Sequence, residues 1–277
     1  MTRRRMPPPV SVLSIAGSDS CGGAGIQADL KTFAAFGVDG ATVVTAVTAQ
    51  NANGIRAIQV MSAAMVRAQL ESVFEAMDIR AVKLGMLANA EIVAVAAEHL
   101  QYRRSSFVVL DPVLHASSGT RLLDAEALEL LRARLLPQVD CLTPNLAEAA
   151  TLLGTSCAGS ESDMAAQGRA LLALGPHAVL MKGGHAALPE AVDLLVTGEG
   201  TQRFAAPWVA ARRLHGTGCM LAAGIAANVA RGYPLGDAVC RAKAHVRAVL
   251  VGRQHRPSAS QPAGNEARGD SDQSMGA

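Results

Sequence analysis

The sequence predicts an α/β fold: a mostly parallel sheet covered by helices on both faces, with a short antiparallel edge. Three observations carry this expectation. Short apolar runs alternate along the chain with longer segments of helical period. The apolar runs repeatedly end in glycine, amide or charged residues, as strand ends do when they line a rim. Late in the chain, Val192–Val196 and Gln202–Ala205 flank Gly198-Glu199-Gly200, the pattern of an antiparallel hairpin.

Taken in order, residues 1–9 read as a loose arm, and Val10–Ala16 as a buried strand running into the glycine loop Gly17–Gly25. A helix spans Ile26–Phe36 and stops at Gly37. Thr42–Thr48 is β-rich, with Ala49-Gln50-Asn51 as its turn-like end. Met65–Met77 places Leu70, Val73, Phe74 and Met77 at helical spacing, its methionines filling the core. Ala81–Leu84 is a strand ending in Gly85-Met86-Leu87. Asn89 caps a helix to Leu100, and Phe107–Leu110 ends in Asp111-Pro112-Val113. Asp124 caps a helix over 125–135. Val139–Leu142 leads into a helix that carries Glu148 in its first turn and ends at Gly154. A helix over Asp163–Leu174 and the strand Ala178–Met181 follow, the latter running into Lys182-Gly183-Gly184-His185. After the hairpin come a helix over Met220–Arg231 and another from Leu235 to about Leu250. The domain is expected to span 10–252, with 253–277 a disordered polar tail.

Composition excludes several classes of function. The 277 residues are half hydrophobic and carry a net charge of +2, with no basic face interleaved with aromatics, so a nucleic-acid partner is not expected. No apolar run approaches a membrane span. The five cysteines are odd in number and show no C-x-x-C pairing, which predicts neither a disulfide framework nor a zinc site and suits a reducing cytoplasm.

The segment with most chemistry is Leu214-His215-Gly216-Thr217-Gly218-Cys219, followed by an alanine-rich helix former. A glycine turn opening a helix aims unpaired N–H groups and the positive dipole end at whatever lies before it, an arrangement suited to phosphate. Cys219 stands in that first turn, where a thiolate is stabilised. An ordinary glycine loop feeding a helix is the plainer alternative. The Gly17–Gly25 loop is neither a P-loop nor the G-x-G-x-x-G fingerprint. Right-handed crossovers place Gly17–Gly25, Gln50, Met86, Asp111, Lys182 and His215–Cys219 on one rim, where they converge. His185 and His215 flank that site. An anion-binding helix start, a lysine and the carboxylates Asp111 and Glu148 are the parts that phosphoryl transfer uses.

Seven colinear motifs then resemble one family. They are A-G-S-D-S-C-G-G-A-G-I-Q-A-D-L-K at 16–31, T-A-V-T-A-Q-N at 45–51, K-L-G-M-L at 83–87, V-L-D-P-V at 109–113, T-P-N-L-x-E at 143–148, M-K-G-G-H at 181–185 and H-G-T-G-C at 215–219. The chain resembles the hydroxymethylpyrimidine/phosphomethylpyrimidine kinases of thiamine biosynthesis. The resemblance implies a ribokinase-like three-layer α/β/α sandwich, a homodimer, and ATP- and Mg²⁺-dependent phosphorylation of a small pyrimidine alcohol and of its phosphate. It also implies that Asp29, Gln50, Met86 and Val113 hold the pyrimidine, with Gly17 beneath it. Asp111 and Glu148 then fall on the Mg²⁺ side and Lys182 on the ATP phosphates. Gly216, Thr217 and Gly218 form the anion hole, and Cys219 stands where sugar kinases of this fold carry an aspartate base.

Met220 and Ala222 depart from the hydroxyl residues frequent after that cysteine, His115 is unusual, and the polar tail replaces the expected closing segment. Two other functions compete. One is a pyridoxal or pyridoxine kinase of the same fold, against which Gln50 and Met86 speak; the other is a non-catalytic pyrimidine-binding module, against which Asp111, Glu148, Lys182 and Cys219 speak.

Overall fold

Strand β1 (Ser11–Asp19) buries alternate residues against two different layers. Leu13 and Ile15 join one apolar cluster and Val12 joins another, which is how a strand covered on both faces must behave. The same alternation runs through β4 (Ile79–Leu84), β5 (Phe107–Leu110), β6 (Cys141–Leu142) and β7 (Ala178–Lys182). The larger cluster lies under α2 (Ala63–Ala76), α3 (Ala90–Gln101), α4 (Ala125–Leu130), α5 (Leu146–Leu153) and α6 (Glu161–Leu172). The other lies under α1 (Gly25–Ala35), α7 (Thr217–Ala230) and α8 (Leu235–Gln254). The three-layer sandwich is therefore present. This computed structural model describes residues 10–51, 54–101, 106–115, 122–184, 190–209 and 216–254. The expected arm at 1–9 and all of the expected tail at 253–277 but its first two residues, which belong to α8, lie outside them, as do His185 and His215.

The sheet has nine strands in the order β3-β2-β1-β4-β5-β6-β7-β8-β9, where β2 is Asp39–Asn51, β3 Gly54–Val60, β8 Ala191–Thr197 and β9 Gly200–Ala206. All pairings from β2 to β7 are parallel. The β8–β9 hairpin forms one antiparallel edge, as predicted. The other edge is also antiparallel, through β3, which the sequence reading does not contain. β2 continues through Gln50 and Asn51, so Gln50 sits on a strand beside a register shift and not in a turn.

Chain order reverses at β1, whose neighbours are β2 on one side and β4 on the other. A crevice opens at the carboxyl ends of strands flanking such a switch point. Both glycine-containing loops that follow β1 and β4 enter it.

Smaller differences concern helix ends. The predicted helix over 125–135 is α-helical only to Leu130, then widens to a π-helical turn over Leu131–Leu135 and tightens to a 3₁₀ turn over Leu136–Gln138, where Pro137 cannot donate. The last helix runs to Gln254. Met65 is 52% exposed and so does not fill the core, whereas Met77 packs against it.

Candidate active site

Asp19 closes β1 and shapes the loop behind it. Its Oδ1 accepts from Cys21 N–H at 2.9 Å and its Oδ2 from Gly23 and Ala24 N–H at 3.0 and 2.8 Å. These bonds hold the loop against two other backbones. A Cβ on Gly25, whose φ is +57°, would meet Gly17 O at 2.2 Å; a Cβ on Gly216, at φ +86°, would meet Gly23 O at 2.0 Å. Only glycine suits either position. The first loop is thus pressed onto the start of α7.

Gly216 caps α7 with no side-chain hydrogen bond, so the helix start presents its backbone donors to an incoming group. Thr217, Gly218 and Cys219 form the first turn. Gly218 faces the charged groups: a Cβ there would stand 3.2 Å from Lys182 Nζ and 3.5 Å from Asp111 Oδ2. Lys182 donates to Asp111 Oδ1 at 2.7 Å and lies 3.8 Å from Glu148 Oε2. Burial alone would make Lys182 lose its proton readily, but Asp111 and Glu148 hold it firmly protonated.

Glu148 is also engaged in a capping box, accepting from Asn145 N–H at 2.7 Å while Asn145 Oδ1 accepts from Glu148 N–H. Burial pushes its carboxyl up to about 7, with Asp111 adding to the rise and Lys182 opposing it. Two carboxylates beside an anion-binding helix start suit Mg²⁺, which takes one or two protein carboxylates and otherwise phosphate oxygens and water. Among the described residues no three or more His, Cys, Asp or Glu side chains gather as a closed metal cage.

Cys219 lies in the first turn of α7. The expectation of a stabilised thiolate is corrected: burial pushes the thiol up to about 11, Asp111 and Asp29 push the same way, and Lys83 and the Gly25 N–H oppose them. The helix start does not overcome desolvation of the sulfur.

On the other side of the crevice, Met86 Sδ would lie 3.2 Å from a Cβ on Gly17, so the thioether packs over that glycine. Thr45 Oγ1 donates to Met86 O at 2.6 Å and fixes the turn after β4. Gln50 is clasped to the first loop: its N–H donates to Ser20 Oγ at 2.9 Å, Ser20 Oγ–H donates to Gln50 O, and Thr48 Oγ1 donates to its Oε1 at 3.3 Å. Val113 follows Asp111 by two residues, its N–H donating to Asp111 O.

Asp29 stands apart from the other predicted residues. It is fully enclosed, accepting from Ser14 Oγ at 2.6 Å and from Lys83 Nζ at 2.8 Å. Sequence reading missed Lys83, and the available signal was a lysine between the apolar strand residues Val82 and Leu84. Asp19 was missed as well, being read only as part of a glycine loop.

Similarity to known proteins agrees with this geometry. The family model described as phosphomethylpyrimidine kinase matches residues 19–262. The chain belongs to the phosphomethylpyrimidine kinase family. It is 51% identical over 242 residues to the hydroxymethylpyrimidine/phosphomethylpyrimidine kinase of Salmonella typhimurium, covering 87% of this chain and 91% of that one. Among solved structures it resembles phosphomethylpyrimidine kinase from Clostridium difficile 630, at TM-score 0.77 and 40% identity, over 87% of this chain and 99% of that one. It also resembles the pyridoxal kinase from Staphylococcus aureus in complex with AMP-PCP and pyridoxal, at TM-score 0.78 and 30% identity, over 87% of each chain. The family's enzymes are phosphotransferases, and the ribokinase-like fold expected from the seven motifs is the one found.

Proposed function

We propose that this chain transfers the γ-phosphoryl group of ATP to 4-amino-5-hydroxymethyl-2-methylpyrimidine, and then to the resulting monophosphate, within thiamine biosynthesis. The observation that carries this reading is the close approach of Gly216 at the α7 start to Gly23 in the first loop, where Gly25 is in turn pressed onto Gly17. It joins the pocket of Gly17, Gln50, Met86 and Val113 to the phosphate-side cluster of Asp111, Glu148, Lys182 and Gly216–Gly218.

In this reading Gln50 pairs with the ring edge of the pyrimidine, and Met86 and Val113 form its apolar walls over Gly17. Asp29 supports that pocket from beneath. The α7 start and Lys182 hold the phosphates in line with the alcohol, and Thr217 takes part in ATP binding. Asp111 and Glu148 would hold Mg²⁺, whose charge neutralises that developing on the phosphate oxygens. Only the thiolate of Cys219, a minor form for a thiol pushed up to about 11, receives the hydroxymethyl proton as that oxygen bonds to phosphorus and the bond to ADP breaks. A loose transition state asks little of a base, so the anion hole contributes more than Cys219. The protein is proposed to act in the cytoplasm as a homodimer; among the described residues no helix is long and apolar enough to cross a membrane.

Similarity to a pyridoxal-bound kinase at TM-score 0.78 supports a second reading, phosphorylation of pyridoxal. Side-by-side kcat/KM values for the two alcohols with ATP decide between them. A higher value for the pyrimidine is expected; a higher value for pyridoxal would reverse the assignment.

A further inference from the structure

A charged pair stands behind the lysine of the phosphate side. Lys243 projects from α8 onto the β8–β9 hairpin, and its ammonium donates to Ala191 O at 3.0 Å, to Phe204 O at 2.8 Å and to Asp193 Oδ2. All three of its protons are thus used. Only 17% of the Lys243 side chain and 11% of the Asp193 side chain are exposed. The other carboxylate oxygen, Asp193 Oδ1, accepts from Gly183 N–H at 3.1 Å. That N–H also donates to Val192 O at 3.0 Å, so satisfying the backbone does not require Asp193. A largely buried ion pair is, moreover, a weak way to stabilise a fold, since apolar residues of similar volume often do as well.

The position of the pair gives a better reason for it. Gly183 directly follows Lys182, the last residue of β7, and Asp193 stands opposite Lys182 in the β7–β8 register. A Cβ on Gly183 would meet Val192 O at 2.2 Å and Met164 Cε at 3.0 Å, so this backbone is clamped between β8 and α6. On its other side, Lys182 N–H donates to Pro144 O at 2.9 Å, and the residue bridges to Asn145, the cap of the helix that carries Glu148. Lys182 is therefore tied down at both neighbouring peptides, one fastened to the Glu148 loop and the other to Asp193. Its long side chain leaves that root to reach Asp111 at 2.7 Å. A shift of the root by about 1 Å is enough to misplace a group that must meet a phosphate.

Resting on the proposed role of Lys182 at the ATP phosphates, we propose that Lys243 and Asp193 are positioning residues. Through the Gly183 peptide they fix the root of Lys182, so that its ammonium meets the phosphates of a bound nucleoside triphosphate. Lys243 holds Asp193, Asp193 holds Gly183 N–H, and the strand end carries Lys182. The hydrogen bonds of the pair among the described residues run to β8, β9 and Gly183, and none runs to the pyrimidine side. Loss of the pair should therefore weaken the nucleotide side of the site and spare the alcohol side.

The test compares wild type with Lys243→Met, and with Lys243→Met/Asp193→Leu should the unpaired carboxylate of the single variant prevent folding. Calorimetry measures binding of AMP-PCP with Mg²⁺, and steady-state kinetics measures turnover of ATP and the pyrimidine alcohol. A folded variant is expected to bind AMP-PCP about tenfold more weakly and to lose about tenfold in kcat/KM for ATP, with KM for the pyrimidine within about twofold of wild type. In a Lys182→Met background the same change should cost less than about twofold, because its effect passes through Lys182. Unchanged AMP-PCP affinity in a folded variant, an equal loss with and without Lys182, or a parallel rise in KM for the pyrimidine would make the pair merely structural and overturn the proposal. A wild type that binds AMP-PCP but phosphorylates no pyrimidine would sink the kinase assignment alone, with the binding comparison still deciding this inference. A wild type that binds no AMP-PCP would overturn both.

Discussion

Lys182 Nζ lies 2.7 Å from Asp111 Oδ1 and 3.8 Å from Glu148 Oε2, so a single ammonium serves two buried carboxylates. The three residues come from the carboxyl ends of β5 and β7 and the first turn of α5, and Gly218 leaves the space beside them open. Incoming phosphates would share Lys182 with Asp111.

Replacing Lys182 with Met therefore removes a phosphate donor and leaves two buried carboxylates facing each other. The expected loss in kcat/KM is roughly 10²–10³-fold, the cost of one donor to developing charge. Steady-state kinetics at saturating Mg²⁺ measures it, and a loss below threefold would remove Lys182 from the phosphate site.

The two glycines of the α7 turn should respond differently to alanine. At Gly216 the new Cβ meets backbone at 2.0 Å and φ is +86°, so strain of about 2 kcal/mol or more falls on both loops. Gly216→Ala should lower the urea midpoint and abolish turnover. At Gly218 the nearest atom is the flexible end of Lys182 at 3.2 Å, so Gly218→Ala should fold normally while losing catalytic rate. Urea melts and turnover on both variants separate the two effects.

Cys219→Ala is expected to lower kcat by about ten- to a hundredfold, with little change in KM for ATP, because the backbone donors of the helix start remain. Full turnover at saturating substrate would dismiss the sulfur as proton acceptor.

Glu148 links stability to pH. Its carboxyl ordinarily titrates at 4.5 and is pushed up to about 7 in the folded chain by burial. The folded state therefore holds this proton more tightly than the unfolded state. The contribution is fully present below pH 4.5 and is lost as pH rises through about 7. Glu148→Gln keeps an acceptor for the capping box and cannot ionise. Its urea midpoint relative to wild type should rise between pH 4.5 and 7.5; a constant difference would show that Glu148 is not buried as described.

The sandwich was legible because β1, β4, β5 and β7 are buried on both faces, and such strands appear as continuous apolar runs ended by polar loops. β3 was not legible. As an edge strand with every residue exposed or half-exposed, it carries no alternation of buried and exposed positions for a reader to detect. The phosphate side was legible from glycines, carboxylates and a lysine at strand ends. The ion pair of Asp29 and Lys83 was not, since its partners are 54 residues apart and a strand lysine ordinarily faces water. The protonation of Cys219 was misjudged for a related reason: local sequence shows the helix start but not the depth of burial that outweighs it.

The central claim is that loops from separate strands meet to pass phosphate to a pyrimidine alcohol. The most direct measurement is product analysis by mass spectrometry after incubating purified protein with ATP, Mg²⁺ and 4-amino-5-hydroxymethyl-2-methylpyrimidine. The account predicts the monophosphate followed by the diphosphate, with ADP formed only when pyrimidine is present. Tight pyrimidine binding with neither phosphorylated product would contradict it.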